Sequence, residues 1–492
     1  MLHAPRSPRR RLIVTATVAA FAATAALAPS VTASPVRGAD QPTKIDPDVS
    51  AALASGPAEF WVDFADSADL TAASHVKSWK ARGQAVIDAL QATAESSQDP
   101  VRDYLDEQGV SYETYYISNE IYVPSGSLAL ASSLTSFSGV TSIIPSGTFT
   151  LDAPIENPSI DAPGTIEWGV ANINAPKVWD QFKDQGKGIV VASIDTGTQW
   201  DHPALINQYR GTRKHGKAVH DYNWFDSTGS GAKAPFDSQG HGTHTMGTMV
   251  GDDGGANQIG VAPKAKWIEA NGCNTCSRKA LLNSAEWMLA PTKINGSDPK
   301  PGKRPDIINN SWGSGQPNQN PFFDDITKAW SAAGIFGMWS NGNSGPGCDT
   351  SGSPGSRPTS YSAGAYDINN NIASFSGRGP GKGDDIKPNL SAPGVNVRSS
   401  IPNNGYGNLS GTSMASPHVA GAIALLWSAA KKLRGDIPAT EKALDNSGID
   451  VAADQCGGTK DDNNVFGEGR LDAFALVKAA SDAGLVAART TD

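Results

Sequence analysis

The chain has 492 residues, enough for two or three domains, and a content of 39% hydrophobic and 18% charged residues excludes an intrinsically disordered chain. A net charge of −9 gives no electrostatic reason to expect nucleic acid as a partner. Fifty-two glycines and 32 prolines point to many loops carried on a scaffold, not to a long-helix protein.

The first elements read as an export signal. Arg6, Arg9, Arg10 and Arg11 form a basic segment, residues 12–27 an apolar one, and Val31-Thr32-Ala33 a small-residue cleavage site, so residues 1–33 are expected to be removed after Ala33. The apolar run falls short of the roughly 20 residues that a membrane anchor needs. Arg9-Arg10 admits twin-arginine as well as general export. The mature protein is therefore expected to be secreted, extracellular and free of the membrane.

Residues 34–57 are expected to be a linker, rich in proline and alanine at their start. EFWVDF (59–64) alternates like a strand, and 75–107 carries helical periodicity that breaks near Pro100. Segments 111–117 and 120–123 form a hairpin around Ser118-Asn119. A short helix at 127–134 and a β-branched strand at 140–144 complete a β-α-β-β-α-β order. Residues 58–150 are thus expected to form a small ferredoxin-like α+β domain. The proline-rich stretch 151–165 reads as an exposed linker where nicking concentrates.

Beyond it, strands at 188–194, 305–309 and 334–340 alternate with helices at 240–250, 324–333 and 413–433. That alternation predicts an α/β domain over 166–480, a mostly parallel sheet covered on both faces, with a tail at 481–492. Of the four cysteines, Cys273 and Cys276 form a CxxC pair. No second CxxC exists to make a zinc ribbon, so two disulfides suit an oxidising compartment. Three pairings are possible; Cys273–Cys276 with Cys348–Cys456 is the one expected.

Functional groups in open parallel sheets gather at the carboxyl ends of strands. Asp195 ends the buried strand VVASID, His241 opens a glycine-flanked helix in DSQGHGTHTMG, and Ser413 lies at the start of an Ala- and Leu-rich helix in LSGTSMASPHVAG. Asp195 alone reads equally as a turn cap and Ser413 as a helix cap. His241 and His244 have HxxH spacing but no further ligand cluster, so no metal is assigned and His244 is expected to be a buried helical histidine. His418 is expected to be packed and Ser416 to be a capping bystander.

The chain order Asp195, His241, Ser413 is that of the subtilisin triad. SIDTG, HGTH and GTSMASPHVAG resemble the three signature blocks of the subtilisin-like serine proteases, and the likeness runs over 166–480 to GEGRLDAFALV. IINNSWG (307–313), NGNSGPG (341–347) and SGRGP (376–380) most resemble the bacillopeptidase F-like branch, and 58–150 is similar in element order to the family's propeptide.

The resemblance implies a subtilisin-like three-layer fold and a secreted serine endopeptidase, made as an autoprocessed preproprotein. His241 would take the proton of Ser413, and Asp195 would orient the imidazole. An oxyanion would be held by the Ser413 N–H and by Asn343, with Asn310 the rival for that role. Ser311, Trp312 and Gly313 would offer substrate an extended edge. Ser340, Asn341 and Gly342 would wall the specificity pocket opposite. Trp312 departs from the smaller aliphatic residue common there and reads equally as core.

The implied partners are protein and peptide substrates and the chain's own propeptide, with the enzyme a monomer. Catalysis needs no cofactor. A structural Ca2+ is possible beside 252–257, where Gly254 stands for a familiar Asn, and no ligand is singled out. Two alternatives stay open: an inactive binding protein on this fold, and a peptide ligase using the same acyl-enzyme chemistry.

Overall fold

Three sheets organise the residues described in this computed structural model, 44–151, 155–157, 166–314 and 320–486. The first is built by β1 (Ala58–Phe64), β2 (Glu113–Tyr115), β3 (Glu120–Gly126) and β4 (Val140–Ile144). Its helices are α1 (Pro47–Ser55), α2 (Thr71–Ser74), α3 (Trp79–Glu107) and α4 (Leu128–Leu134). The strand order β2-β3-β1-β4, antiparallel throughout, is the topology expected from β-α-β-β-α-β. Asn119, at φ 52°, turns the β2–β3 hairpin.

Side chains alternate across this sheet. Phe60, Val62, Ile121, Val123 and Ile143 face α1, α3 and α4 in a core of their own. Trp61, Tyr115 and Tyr122 face the other way and join the core of the following layers.

Two expectations are corrected here. Residues 47–55, assigned to the 34–57 linker, are helix: the Asp46 carboxylate caps the Asp48 N–H at 2.8 Å, Pro47 suits a first turn, and Val49 and Leu53 are buried one turn apart. Nor does the long helix break at Pro100. Its buried stripe Leu90, Ala94, Gln98, Val101 and Leu105 carries across a proline that faces solvent. Residues 1–43, with the export signal, lie outside the described residues.

The remaining elements, in chain order, are β5 (Ile155–Asn157), α5 (Trp168–Asn172), α6 (Ala175–Gln181), β6 (Val190–Asp195), β7 (Trp224–Asp226), α7 (His241–Val250), β8 (Lys266–Asn271) and α8 (Arg278–Leu289). They continue with β9 (Ile307–Asn310), α9 (Asp324–Ala332), β10 (Phe336–Ser340), β11 (Tyr361–Tyr366), β12 (Leu390–Pro393), β13 (Val397–Ile401), β14 (Gly405–Ser410), α10 (Thr412–Ala429), α11 (Ile437–Asp445) and α12 (Ala473–Asp482). Helix α10 stops short of the expected 433, where the apolar run ends at Ala430 and Lys431 and Lys432 turn to solvent.

The central sheet, β12-β11-β10-β9-β6-β8-β7, is parallel at every pairing. Adjacent strand residues serve opposite faces. Val191, Trp267, Ile307 and Met338 join the core with α7, α10 and α12, whereas Ala192, Ile268, Ile308 and Trp339 join α8 and α9. This is the three-layer α/β architecture expected. Trp61, Val86 and Tyr122 of the N-terminal region belong to the α8/α9 core, so that region is seated on those two helices.

Candidate active site

Strands β6, β9 and β10 are neighbours, and their carboxyl ends bring Asp195, Asn310-Ser311 and Ser340 to one edge. The buried Asp195 carboxylate is fully occupied. Its Oδ1 accepts from the Thr196 N–H (2.7 Å) and faces His241 Nδ1 (2.7 Å), and its Oδ2 accepts from Thr245 Oγ1 (3.2 Å). A carboxylate on Nδ1 fixes the proton there and leaves Nε2 with its lone pair. His241 Nε2 has no hydrogen-bond partner among the described residues.

Glycine lets the helix start come this close. A Cβ on Gly242 would lie 2.0 Å from the Gly197 carbonyl, and Gly197 itself sits at φ 98°. Asp237 then clamps the junction: Oδ2 takes the Thr243 N–H and hydroxyl, and Oδ1 takes the Thr196 hydroxyl and the Gly240 N–H.

Ser413 enters from the other side, in the first turn of α10. Its hydroxyl donates to the Ser311 carbonyl at 3.1 Å. Ser311 Oγ in turn donates to the Ser413 carbonyl (2.9 Å) and contacts Ser416 Oγ, which is bonded to Asn309 Oδ1. Ser416 is therefore no capping bystander: it ties the nucleophile's helix to β9.

Of the two amides, Asn343 is the one beside Ser413. Its Oδ1 accepts from the Thr412 N–H (2.9 Å) and hydroxyl (2.8 Å), and its Nδ2 faces Gly411. Asn310 is buried, with Nδ2 turned to the Ile308 and Met338 carbonyls.

The wall Ser340–Gly342 is stitched from behind, Asn341 Nδ2 donating to Ser351 Oγ and the Gly377 carbonyl. Trp312 is 2% exposed and packs edge-on to Phe323 and Trp339, so its indole is core while its neighbours' backbone forms the edge. His244 is buried, its Nε2 on the Val397 carbonyl at 2.9 Å, and burial pushes its pKa down to about 3, which keeps it neutral. His418 is packed likewise, with Nδ1 on the Met414 carbonyl.

Sequence reasoning missed a second backbone edge. The Phe149 N–H donates to the Cys276 carbonyl (2.8 Å) and the Arg278 N–H to the Gly147 carbonyl (2.9 Å). Thr150 exchanges both backbone hydrogen bonds with Gly313 (2.7 and 3.1 Å). Segment 147–150 thus lies between two edges, 276–278 and 312–313. Phe149 stacks on Phe322 (5.3 Å) and meets Trp312 edge-on (5.6 Å). Only the Cys273–Cys276 pair, which pins the 276–278 edge, hinted at this in the sequence. That disulfide and Cys348–Cys456 are both formed, as expected.

Part of the expected linker is also ordered. β5 pairs with β14, Ile155 opposite Ser410. Thr150 is thus paired with Gly313, and Ile155 with Ser410, three residues before Ser413.

In the 252–257 loop, Asp253 Oδ1 takes the Gly255 and Asn257 N–H groups and Oδ2 the Asn257 amide. Burial opposes its ionisation, but these donors hold its carboxyl below the usual range. The guanidinium of Arg398 bonds Asn257 Oδ1 and lies over Tyr406. These carboxylate oxygens are turned to the loop's own donors and do not fit a calcium cage. Among the described residues no group of three or more His, Cys, Asp or Glu could hold a metal ion.

The subtilase family model matches residues 186–469, more than half of the chain. The chain belongs to the subtilase family. By class this subtilase is a serine-type peptidase. It is 38% identical to Bacillopeptidase F of Bacillus subtilis (strain 168) over 427 residues, 81% of this chain and 29% of that protein. The subtilase is also 34% identical to Subtilisin DY of Bacillus licheniformis, over 58% of this chain and 94% of that protein. With the Major intracellular serine protease of Bacillus subtilis it shares 33% identity, over 53% and 74%. The chain thus matches less than a third of the length of Bacillopeptidase F, while matching most of the two shorter relatives.

Proposed function

We propose that this subtilase is a secreted endopeptidase that hydrolyses protein and peptide substrates through Asp195, His241 and Ser413, and that residues 58–150 are a propeptide it cuts from itself. The observation that carries this reading is the chain's own path. Segment 147–150 pairs as an extended strand on the edges 276–278 and 312–313, and Ile155 pairs with Ser410, three residues before Ser413. The scissile bond then lies between Thr150 and Ile155.

In the first step a side-chain rotation moves the Ser413 hydroxyl from the Ser311 carbonyl to His241 Nε2. The proton passes to Nε2 as Oγ attacks the carbonyl carbon. Asp195 holds the imidazole tautomer and stabilises the imidazolium. The oxyanion is received by the Ser413 N–H at the start of α10 and by Asn343 Nδ2, whose orientation is supported by the two Thr412 hydrogen bonds to Oδ1. His241 returns the proton to the leaving amine, and water hydrolyses the acyl-enzyme by the same route. Ser311 and Gly313, on one side, and Ser340 and Gly342, on the other, line the acyl half of the substrate.

Export rests on the leader 1–33 and on two disulfides that suit an oxidising compartment. No helix among the described residues is long and apolar enough to cross a membrane. The test is the intact mass of the secreted protein beside Ser413→Ala. Loss of everything before 151–155 in the wild type alone is expected. Equal trimming of both would assign the processing to another protease.

A further inference from the structure

The path marked by segment 147–150 carries a guanidinium at the end far from Ser413. In an extended strand alternate residues share a face, so Gly147 lies on the side of Phe149. Both line one cavity of about 690 Å3, together with Arg278, Phe322, Glu120 and Asp63. A Cβ on Gly147 would meet nothing within 4 Å, and the Gly147 carbonyl accepts the Arg278 N–H at 2.9 Å. A side chain at that position would therefore enter open space beside Arg278.

The Arg278 side chain has one neighbour in the peptidase layers and several in residues 58–150. Its guanidinium lies over the Phe322 ring, 4.0 Å from the centre, the same ring on which Phe149 stacks. Among the described residues its charge is met by Glu120, at 2.6 and 3.1 Å, and by Asp63 at 3.7 Å. Lys279, next in the chain, faces Glu113 of the same region at 2.6 Å. The other acids of the cavity already have partners, Asp324 in Arg357 and Thr359 and Asp325 in Lys328. Once residues 58–150 leave, Arg278 keeps the ring and loses both of its carboxylates. It also stands in the first turn of α8, where the helix dipole disfavours a cation and favours an anion brought to it.

We propose that Arg278 is a specificity-determining residue, which in the freed enzyme takes the carboxylate of a glutamate or aspartate placed two residues before the side chain that packs on Phe322. The preferred substrates are then peptides acidic in that register, and Glu120 and Asp63 show the chemistry that the guanidinium accepts. This rests on the proposed function, in which residues 58–150 are removed and substrate follows the path of 147–150.

The experiment uses the secreted enzyme freed of its N-terminal region, and quenched fluorescent peptides spanning 145–157 of the chain in Gly147→Glu and Gly147→Gln versions. The Glu version is expected to have a kcat/KM about three- to fivefold higher, carried by KM, as for a partly exposed ion pair. That ratio should fall towards one in Arg278→Met, and also in the unaltered enzyme at about 1 M salt, where such a pair is screened. The salt arm needs no variant, so misfolding of Arg278→Met leaves the test intact. A Phe149→Ala peptide tests the path itself and should be cut more slowly than its parent. Equal Glu and Gln rates beside a slowed Phe149→Ala peptide would overturn the role of Arg278 and keep the path. Were Phe149→Ala cut as fast as its parent, the path would fail and the proposal with it. If no peptide is cut, the proposed activity fails instead. Anisotropy of the same peptides, labelled and bound to the enzyme, then still reads the ratio, and equal binding overturns the proposal.

Discussion

The N-terminal region is held at two ends in two different ways. At the substrate cleft, 147–150 is held by backbone hydrogen bonds to 276–278 and 312–313, which almost any sequence can make. At the far end, Trp79 and Arg82 are held by side-chain geometry that few sequences can make. The difference matters to a protease. A cleft that must accept many substrates has to read backbone, and so cannot by itself tell an inhibitor from a meal. Discrimination has to be placed elsewhere, on a surface that substrates do not reach.

The largest effects test the cleft end. Ser413→Ala should lower kcat by about 10^4–10^6 while leaving the paired strand in place, because neither edge uses the hydroxyl. Kinetics on a chromogenic peptide, beside retention of the N-terminal fragment, would check both halves. Asn343→Ala should cost about 3–4 kcal/mol of transition-state stabilisation, expressed in kcat with KM little changed. A loss carried by KM instead would make Asn343 a substrate contact and leave the oxyanion to other donors.

A middle effect concerns the interface between the two ends. Burial pushes the Glu286 carboxyl up to about 8 against the pull of the Tyr116 and Ile117 N–H groups, which it accepts at 2.7 and 3.2 Å. Burial likewise raises Glu120 to about 7, although Arg278 bonds it at 2.6 Å. Each has a reference value of 4.5. The docked state therefore binds more protons between 4.5 and about 8, so attachment is strongest below that window and is lost as pH rises through it. Retention of the cut fragment should weaken about tenfold or more between pH 5 and 8.5. Glu286→Gln keeps the acceptor and removes the charge, and should flatten most of that slope. A slope unchanged in the variant would move the titration to Glu120.

Sequence reading went furthest where one residue type has one structural consequence. The alternation of strands with helices announced the parallel sheet, and the strand end VVASID and the small residues around His241 pointed to Asp195 and His241, which meet at 2.7 Å. It went least far where partners are distant. Apart from Cys276, paired with Cys273, nothing local in TCSR marks 276–278 as a backbone edge, because any residue supplies an N–H and a carbonyl. Nothing near Trp79 and Arg82 in the 75–107 helix announces partners more than 200 residues on, Arg304 and Arg434 for Trp79 and the Ser331, Ala332 and Gly435 carbonyls for Arg82. Ser416 looked like a cap because serine at a helix start usually is one. Its use depends on Asn309 of another strand.

The smallest effect sets the two ends of the comparison against each other within one residue. Gly83 lies inside α3, where alanine is favoured over glycine by about 1 kcal/mol, so Gly83→Ala should stabilise the helix of the free propeptide. In the docked state the same methyl would press on Arg304 Nη1, a guanidinium held by two carbonyls and stacked on Trp79. Moving that guanidinium would stretch its bonds to the Ala333 and Pro301 carbonyls, so docking should weaken several-fold while the fragment's own melting temperature rises. Opposite signs in the two measurements are the signature of a site built around a missing side chain. If both quantities rise together, Arg304 yields freely, the cradle is softer than its hydrogen bonds imply, and the far anchor would owe its selectivity to Arg82 alone.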